Sequence, residues 1–301
     1  MDVKVESTRD HRYFYVNWWL TDHCNWNCSY CHDEIKRGRL PFPDIRDIRD
    51  FLDQTQNHAQ RLDRTLFISI TGGEVTQYPH LQETLDHAKR IGSKIALRTN
   101  ASQNIDDFCK MLSTVDLIDL EFHPEYTQTG HFLLCLYHAG MNPNLKVSVH
   151  LNAMLERWTE TENLRNKISE KWPHFSVHLK MLFNDPVRNT MPLSYQPVQE
   201  KTLKNQSGDL RISTDLGTLE YSDYQSMIFE DRNNFQNWSC SIGLEQIIVD
   251  AWGVVRRGHC RQGGSIGQIG SVIRFDDFMV TCKKPKCVNS FDIQATKIRL
   301  S

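Results

Sequence analysis

Cys24, Cys28 and Cys31 fall within eight residues, in the run TDHCNWNCSYC. Three thiolates at this C-x3-C-x2-C spacing suit an iron-sulfur cluster, because three sulfur ligands for four irons leave one iron open to an outside ligand. An open metal position is what chemistry requires. A zinc knuckle is the other reading; it would add a fourth Cys or His nearby, and His23 and His32 are the local candidates. A second group, Cys240, Cys260, Cys282 and Cys287, is spaced C-x19-C-x21-C-x4-C in the last quarter of the chain. Four thiolates can fully ligate one 4Fe-4S cluster, or hold a structural zinc.

Seven of the nine cysteines lie in these two groups; Cys109 and Cys135 read as small core residues of two helices. No run of eighteen apolar residues occurs, and the opening MDVKVESTRDHR is too polar for a signal peptide. A cytoplasmic location without membrane attachment is therefore expected, and in that reducing compartment metal ligation is a better account of the cysteines than disulfides. A formal net charge of -2 over 301 residues gives no basic excess for a nucleic-acid backbone.

Elements must position these groups. Strands are predicted at 13–20, 65–70, 94–98, 116–122, 145–151 and 175–183, each a short apolar, β-branched or aromatic run. Helices are predicted between them: one after the N-cap Asp44 with Ile45, Ile48 and Leu52 at helical spacing, then 81–90, 105–112, 131–139 and 160–170. Strand and helix alternating at about thirty residues imply an α/β fold with a parallel sheet, a partial (βα)6 barrel over residues 1–186. Residues 187–236 form a polar connector or substrate wall. Residues 237–301 read as a small domain organised by metal, with a hairpin turning near Ala251–Gly253. The first cysteine group then lies in the loop after the first strand, on the face where such sheets place their chemistry.

At the end of the second strand stand Thr71, Gly72, Gly73 and Glu74, where paired glycines permit close backbone approach and the carboxylate can accept from an ammonium. Together, the C-x3-C-x-aromatic-C loop and this GGE resemble the radical S-adenosylmethionine (radical SAM) superfamily over residues 13–183. The resemblance implies that Cys24, Cys28 and Cys31 hold a 4Fe-4S cluster, that Tyr30 lies near the adenine and that Gly72, Gly73 and Glu74 hold the methionine amine of S-adenosylmethionine. Val75 stands where the family often has Pro. Thr99 and Asn100 match a pair that often sits near the cofactor, and they also read as a strand-to-helix turn. Cys240, Cys260, Cys282 and Cys287 resemble the twitch domain, the shorter relative of the SPASM domain, which implies one auxiliary 4Fe-4S cluster.

The implied reaction is reductive cleavage of the cofactor and hydrogen abstraction from a small-molecule or peptide substrate, with electrons from a flavodoxin- or ferredoxin-type reductant. Net oxidation, as dehydrogenation or crosslinking, is the expected outcome for a radical SAM oxidoreductase with an auxiliary cluster. A peptide epimerase or other redox-neutral rearrangement, a non-catalytic electron carrier and a zinc-stabilised binding module are the alternatives. Only 23 residues precede Cys24, which leaves no room there for a leader-peptide domain and shifts weight towards a small molecule, or a peptide presented by a separate partner. Strand ends offer Arg98, His123, Glu125, Asn152 and Asp185 as base or binding residues, with His123 and Glu125 the catalytic candidates. Trp18 and Trp19 are expected in the packing.

Overall fold

The computed structural model describes residues 2–184, 192–204, 206 and 208–299. Its strands, in chain order, are β1 (Val3–Ser7), β2 (Tyr13–Thr21), β3 (Thr65–Gly72), β4 (Lys94–Thr99), β5 (Leu117–Phe122), β6 (Lys146–Asn152), β7 (Ser176–Lys180), β8 (Leu210–Thr214), β9 (Gly217–Ser222), β10 (Ser239–Cys240), β11 (Gln246–Val249), β12 (Val254–Arg256), β13 (Ser265–Gln268), β14 (Val280–Thr281) and β15 (Lys297–Arg299). The helices are α1 (Ile45–Arg61), α2 (Leu81–Arg90), α3 (Ile105–Leu112), α4 (Thr129–Gly140), α5 (Trp158–Lys171), α6 (Pro197–Leu203), α7 (Tyr224–Phe229) and α8 (Ser290–Ile293).

Along β2 the residues Phe14, Val16, Trp18 and Leu20 are buried while Tyr13, Tyr15, Asn17 and Trp19 are not, the two-residue period of a strand whose faces meet different surroundings. The buried set joins Ile48, Phe51 and Leu52 of α1 in the main core. Trp18 meets Phe51 edge to face at 5.5 Å. Full burial of each such side chain contributes roughly 1.5–3 kcal/mol, so this helix-facing layer holds β2 against α1. α1 begins at the expected Asp44, whose carboxylate accepts from Arg46 N at 2.8 Å.

Strands β2 to β7 pair in sequence order and in parallel, with helices in the connections. The chain thus has an α/β fold with a parallel sheet. The predicted hairpin forms as β11 and β12, but it does not stand apart: β11 pairs in parallel with β2 and extends the main sheet to nine strands, in the order β13-β12-β11-β2-β3-β4-β5-β6-β7. The described part of residues 187–236 has elements of its own. It supplies α6, α7 and the hairpin β8–β9, which enters a second, antiparallel sheet ordered β14-β10-β15-β1-β8-β9. That sheet unites the first residues of the chain with the last, because β1 lies between β8 and β15.

Candidate active site and second thiol pocket

The first cysteine loop leaves β2 at Thr21 and is gripped from two sides. On one side, Gly73 N donates to Thr21 O at 2.8 Å and Glu74 N to His23 O at 2.7 Å. A Cβ on Gly73 would stand 2.1 Å from His23 O, and one on Gly72, whose φ is +133°, would stand 2.6 Å from Thr21 O. The two glycines therefore serve a close backbone contact between the end of β3 and the cysteine loop. On the other side, the segment after β5 closes on the loop: both Glu125 carboxylate oxygens accept from Ser29, from its N at 2.8 Å and its Oγ at 2.5 Å. Trp26 stacks on Tyr126 at 5.9 Å, and Tyr30 lies parallel to the His123 ring at 6.0 Å. His123 Nδ1 is 3.0 Å from the Tyr30 hydroxyl and 3.5 Å from Cys28 Sγ. Of the two catalytic candidates, Glu125 fastens the loop, while His123 stands between it and the sheet.

Glu74 is buried and ties three elements together. Its Oε1 accepts from Thr76 N, Thr76 Oγ1 and Thr99 Oγ1 at 3.1, 2.8 and 2.7 Å, and its Oε2 accepts from Asn100 N at 2.8 Å. Asn100 Nδ2 in turn donates to Asn25 Oδ1 at 3.0 Å, beside Cys24. The GGE end of β3, the Thr99-Asn100 end of β4 and the cysteine loop thus form one hydrogen-bonded unit. Burial pushes the Glu74 carboxyl up, against the hydrogen bonds from Asn100, Thr99 and Thr76 that favour its charged form.

Beyond this unit the non-helical face of the main sheet carries charges that single strands did not advertise. Arg98 on β4 pairs with Asp119 on β5 at 3.2 Å, and Lys180 on β7 pairs with Glu121 at 2.8 Å. Glu121 also meets Arg98 at 3.4 Å and His123 at 3.5 Å, while His150 on β6 lies 3.7 Å from Asp119 and stacks on His178 of β7. Burial alone would raise the Asp119 carboxyl, but Arg98 and His150 hold it down to about 2. Burial, with His150 beside it, lowers the His178 imidazole to about 4, so it stays neutral near pH 7. Sequence reasoning found Arg98 and His123 here and missed Asp119, Glu121, His150, His178 and Lys180. Asn152 donates instead to Phe122 O at 3.0 Å, binding β6 to β5, and Asp185 lies outside the described residues.

The four later cysteines come from segments of both sheets and the loops beside them. Cys240 is on β10, Cys282 follows β14, Cys287 precedes α8, and Cys260 follows β12 with its N donating to Asp292 Oδ2 at 2.7 Å. Burial is the main cause that raises the Cys240, Cys260 and Cys287 thiols, Cys260 to about 12. The thiols add to it themselves: Cys282 acts on Cys240, Cys240 on Cys260, and both Cys240 and Cys260 on Cys287. His259 joins this pocket to the main sheet, with its Nε2 3.0 Å from Asn17 Oδ1 and its ring 4.9 Å from that of Trp19. Trp19 thus packs on the open face of β2 and Trp18 in the core. Cys135 is buried in the main core, and Cys109 is partly exposed on α3.

Residues 20–128, which hold the cysteine loop, GGE, Thr99-Asn100 and His123, match the radical SAM superfamily. This chain carries a radical SAM superfamily domain. A nucleotide dehydratase dependent on S-adenosylmethionine from Psychrobacter lutiphocae is 24% identical over 198 residues, 54% of this chain and 64% of the relative. The chain thus spans less than two thirds of that relative's length. One from a Thermoplasmatales archaeon is 21% identical over 272 residues, 85% of this chain and 92% of the relative, and bears the same name. Streptococcus suis SuiB, solved with its precursor peptide SuiA, matches at a TM-score of 0.55 with 15% identity, over 87% of this chain and 62% of SuiB; that likeness is one of fold.

A radical SAM domain implies a 4Fe-4S cluster and S-adenosylmethionine, and the donor set suits them. Soft sulfur ligands select iron-sulfur clusters and zinc. Burial, with the neighbouring thiols adding to it, raises Cys28 to about 12; burial and Cys24 raise Cys31 to about 11 against Lys180 and Lys36, so metal binding here would release protons. Among the described residues no three His, Cys, Asp or Glu side chains close on one point as ligands of a single ion would. Two of the thiols accept hydrogen bonds, Cys24 Sγ from Trp26 N at 3.4 Å and Cys282 Sγ from Gln262 Nε2 at 3.2 Å, contacts that a ligating thiolate can keep. His23 and His32, the local candidates for a zinc site, are engaged elsewhere: His23 Nε2 lies 2.9 Å from Leu40 O, and His32 Nδ1 accepts from Glu34 N. Among the described residues no helix is long and apolar enough to cross a membrane.

Proposed function

We propose that this radical SAM domain acts on a nucleotide, removing a hydrogen atom and then water. Cys24, Cys28 and Cys31 would hold the 4Fe-4S cluster, with Tyr30, Gly72, Gly73, Glu74, Thr99 and Asn100 around S-adenosylmethionine; Cys240, Cys260, Cys282 and Cys287 would hold a second 4Fe-4S cluster. With its cofactor bound, the first cluster supplies a 5′-deoxyadenosyl radical for hydrogen abstraction, and the second can exchange a single electron. The observation that carries the reading is the continuous hydrogen-bonded path from Glu74 through Thr99 and Asn100 to Asn25, which joins both family motifs beside the cysteine loop.

The chain's own residues account for the rest. His123, Glu121, Arg98 and Lys180 line a polar surface next to that loop, where an anionic substrate would share Arg98 and Lys180 with their carboxylate partners and a departing hydroxyl can take a proton. Once a hydrogen atom has gone to 5′-deoxyadenosine, protonation and loss of the hydroxyl as water leave a radical cation. One electron from a flavodoxin- or ferredoxin-type reductant completes a product lighter by one water. The shared name of the two relatives supports dehydration. A second reading, net oxidation, is favoured by the four-thiol pocket: loss of a hydrogen atom, a proton and an electron gives a product lighter by two hydrogens. Anaerobically reconstituted protein, given S-adenosylmethionine, dithionite and a panel of nucleotides, separates the two by product mass. Dehydration is the expected result. Formation of 5′-deoxyadenosine with every nucleotide unchanged would overturn the substrate assignment and leave the radical chemistry standing.

A further inference from the structure

Lys297 on β15 is the cross-strand partner of Cys240 on β10, and partners in an antiparallel pair present their side chains to the same face. Its side chain is 1% exposed, an unusual place for an ammonium. The Nζ donates to Asp292 O at 2.5 Å, Ala295 O at 2.9 Å and Ile293 O at 3.0 Å, and it stands 5.0 Å from the centre of the Phe235 ring. Among the described residues it forms no ion pair with a carboxylate. Asp292, the acidic side chain that faces the same thiols, accepts instead from His259 N at 2.9 Å and Cys260 N at 2.7 Å. Carbonyl dipoles and a ring face only partly offset the desolvation of a buried cation; a facing negative charge offsets it far better.

The pocket that Lys297 faces has such a charge to offer once its thiols are ionised. Cys240, the cross-strand partner of Lys297, and Cys287 are both buried beside it, and ligation of a cluster takes cysteines as thiolates. Four thiolates around a doubly positive 4Fe-4S core leave two negative charges, and one added electron makes three. We propose that Lys297 is the buried counter-charge of the second cluster and raises its reduction potential, stabilising the state that carries the extra electron. This rests on the reading of Cys240, Cys260, Cys282 and Cys287 as cluster ligands. A purely structural role is the rival account, since Lys297 also caps the carbonyls at the end of α8. That role predicts lower stability and an unmoved potential.

The test uses the full chain carrying Cys24, Cys28 and Cys31→Ala, so that the second cluster alone reports, in a redox titration followed by electron paramagnetic resonance. Lys297→Met and Lys297→Gln are expected to lower the midpoint so that, poised at the parent's midpoint, the reduced-to-oxidised ratio falls at least tenfold, about 59 mV for one electron. Lys297→Arg, which keeps the charge, is expected to stay within threefold of the parent. Iron retained by Lys297→Arg and lost from both neutral variants would also support the counter-charge. An unmoved midpoint in a neutral variant that keeps its iron overturns the proposal, and so does loss of iron from all three variants. No iron in the parent itself would instead remove the second cluster, a different failure.

Discussion

Glu74 shows how a single residue can join two motifs. A carboxylate offers about four lone-pair sites, and Glu74 receives four donors, from Thr76, Thr99 and Asn100. In Glu74→Gln an amide NH2 would face some of these donors. Hydrogen bonds to a buried charged group contribute roughly 1.5–3 kcal/mol each, so we expect the variant to lose about 2–3 kcal/mol in chemical denaturation, with weaker retention of S-adenosylmethionine in equilibrium dialysis. An unchanged denaturation midpoint would refute the joining role. The cysteines, Glu74, Thr99 and Asn100 were legible in the sequence because each stands in a short motif whose spacing survives without knowledge of the fold. Asp119, Glu121, His150, His178 and Lys180 were not, since each contacts a residue on another strand. Their trace was the period of two, with 119 and 121 on β5 and 178 and 180 on β7; read across neighbouring strands, it would have marked one polar face.

At the scale of elements, the end of β3 and the cysteine loop form one device. Gly73 leaves no room for a methyl group, since a Cβ would stand 2.1 Å from a backbone carbonyl that cannot move without the loop. Gly73→Ala is therefore expected to shift the loop carrying Cys24 and to lose the iron held there, about four per chain for one 4Fe-4S cluster. Full iron content in Gly73→Ala would contradict that coupling. The helices and parallel strands were legible because each is long enough to show its period: β2 runs nine residues and α1 seventeen. The second sheet was not. β10 and β14 have two residues each and β15 three, too few to show alternation, and β1 takes its place only through partners more than two hundred residues away.

At the scale of the whole molecule, the two groups of thiols come from opposite ends of the chain, and His259 bridges them, adjacent in sequence to Cys260 and packed on Asn17 and Trp19 of the strand that leads to Cys24. Were both groups to hold clusters, as proposed, the second would lie beside the strand that leads to the first. The C-terminal hairpin was legible as a hairpin, yet its parallel docking on β2, which brings His259 to that strand, depends on contacts between distant segments that no local pattern encodes. The most direct test compares iron and sulfide in anaerobically purified wild type and in the Cys24, Cys28 and Cys31→Ala variant, with 5′-deoxyadenosine assayed after dithionite reduction. The account predicts about eight irons falling to about four, with nucleoside formation abolished in the variant; nucleoside formed equally by both proteins, or a wild type free of iron after reconstitution, would contradict it.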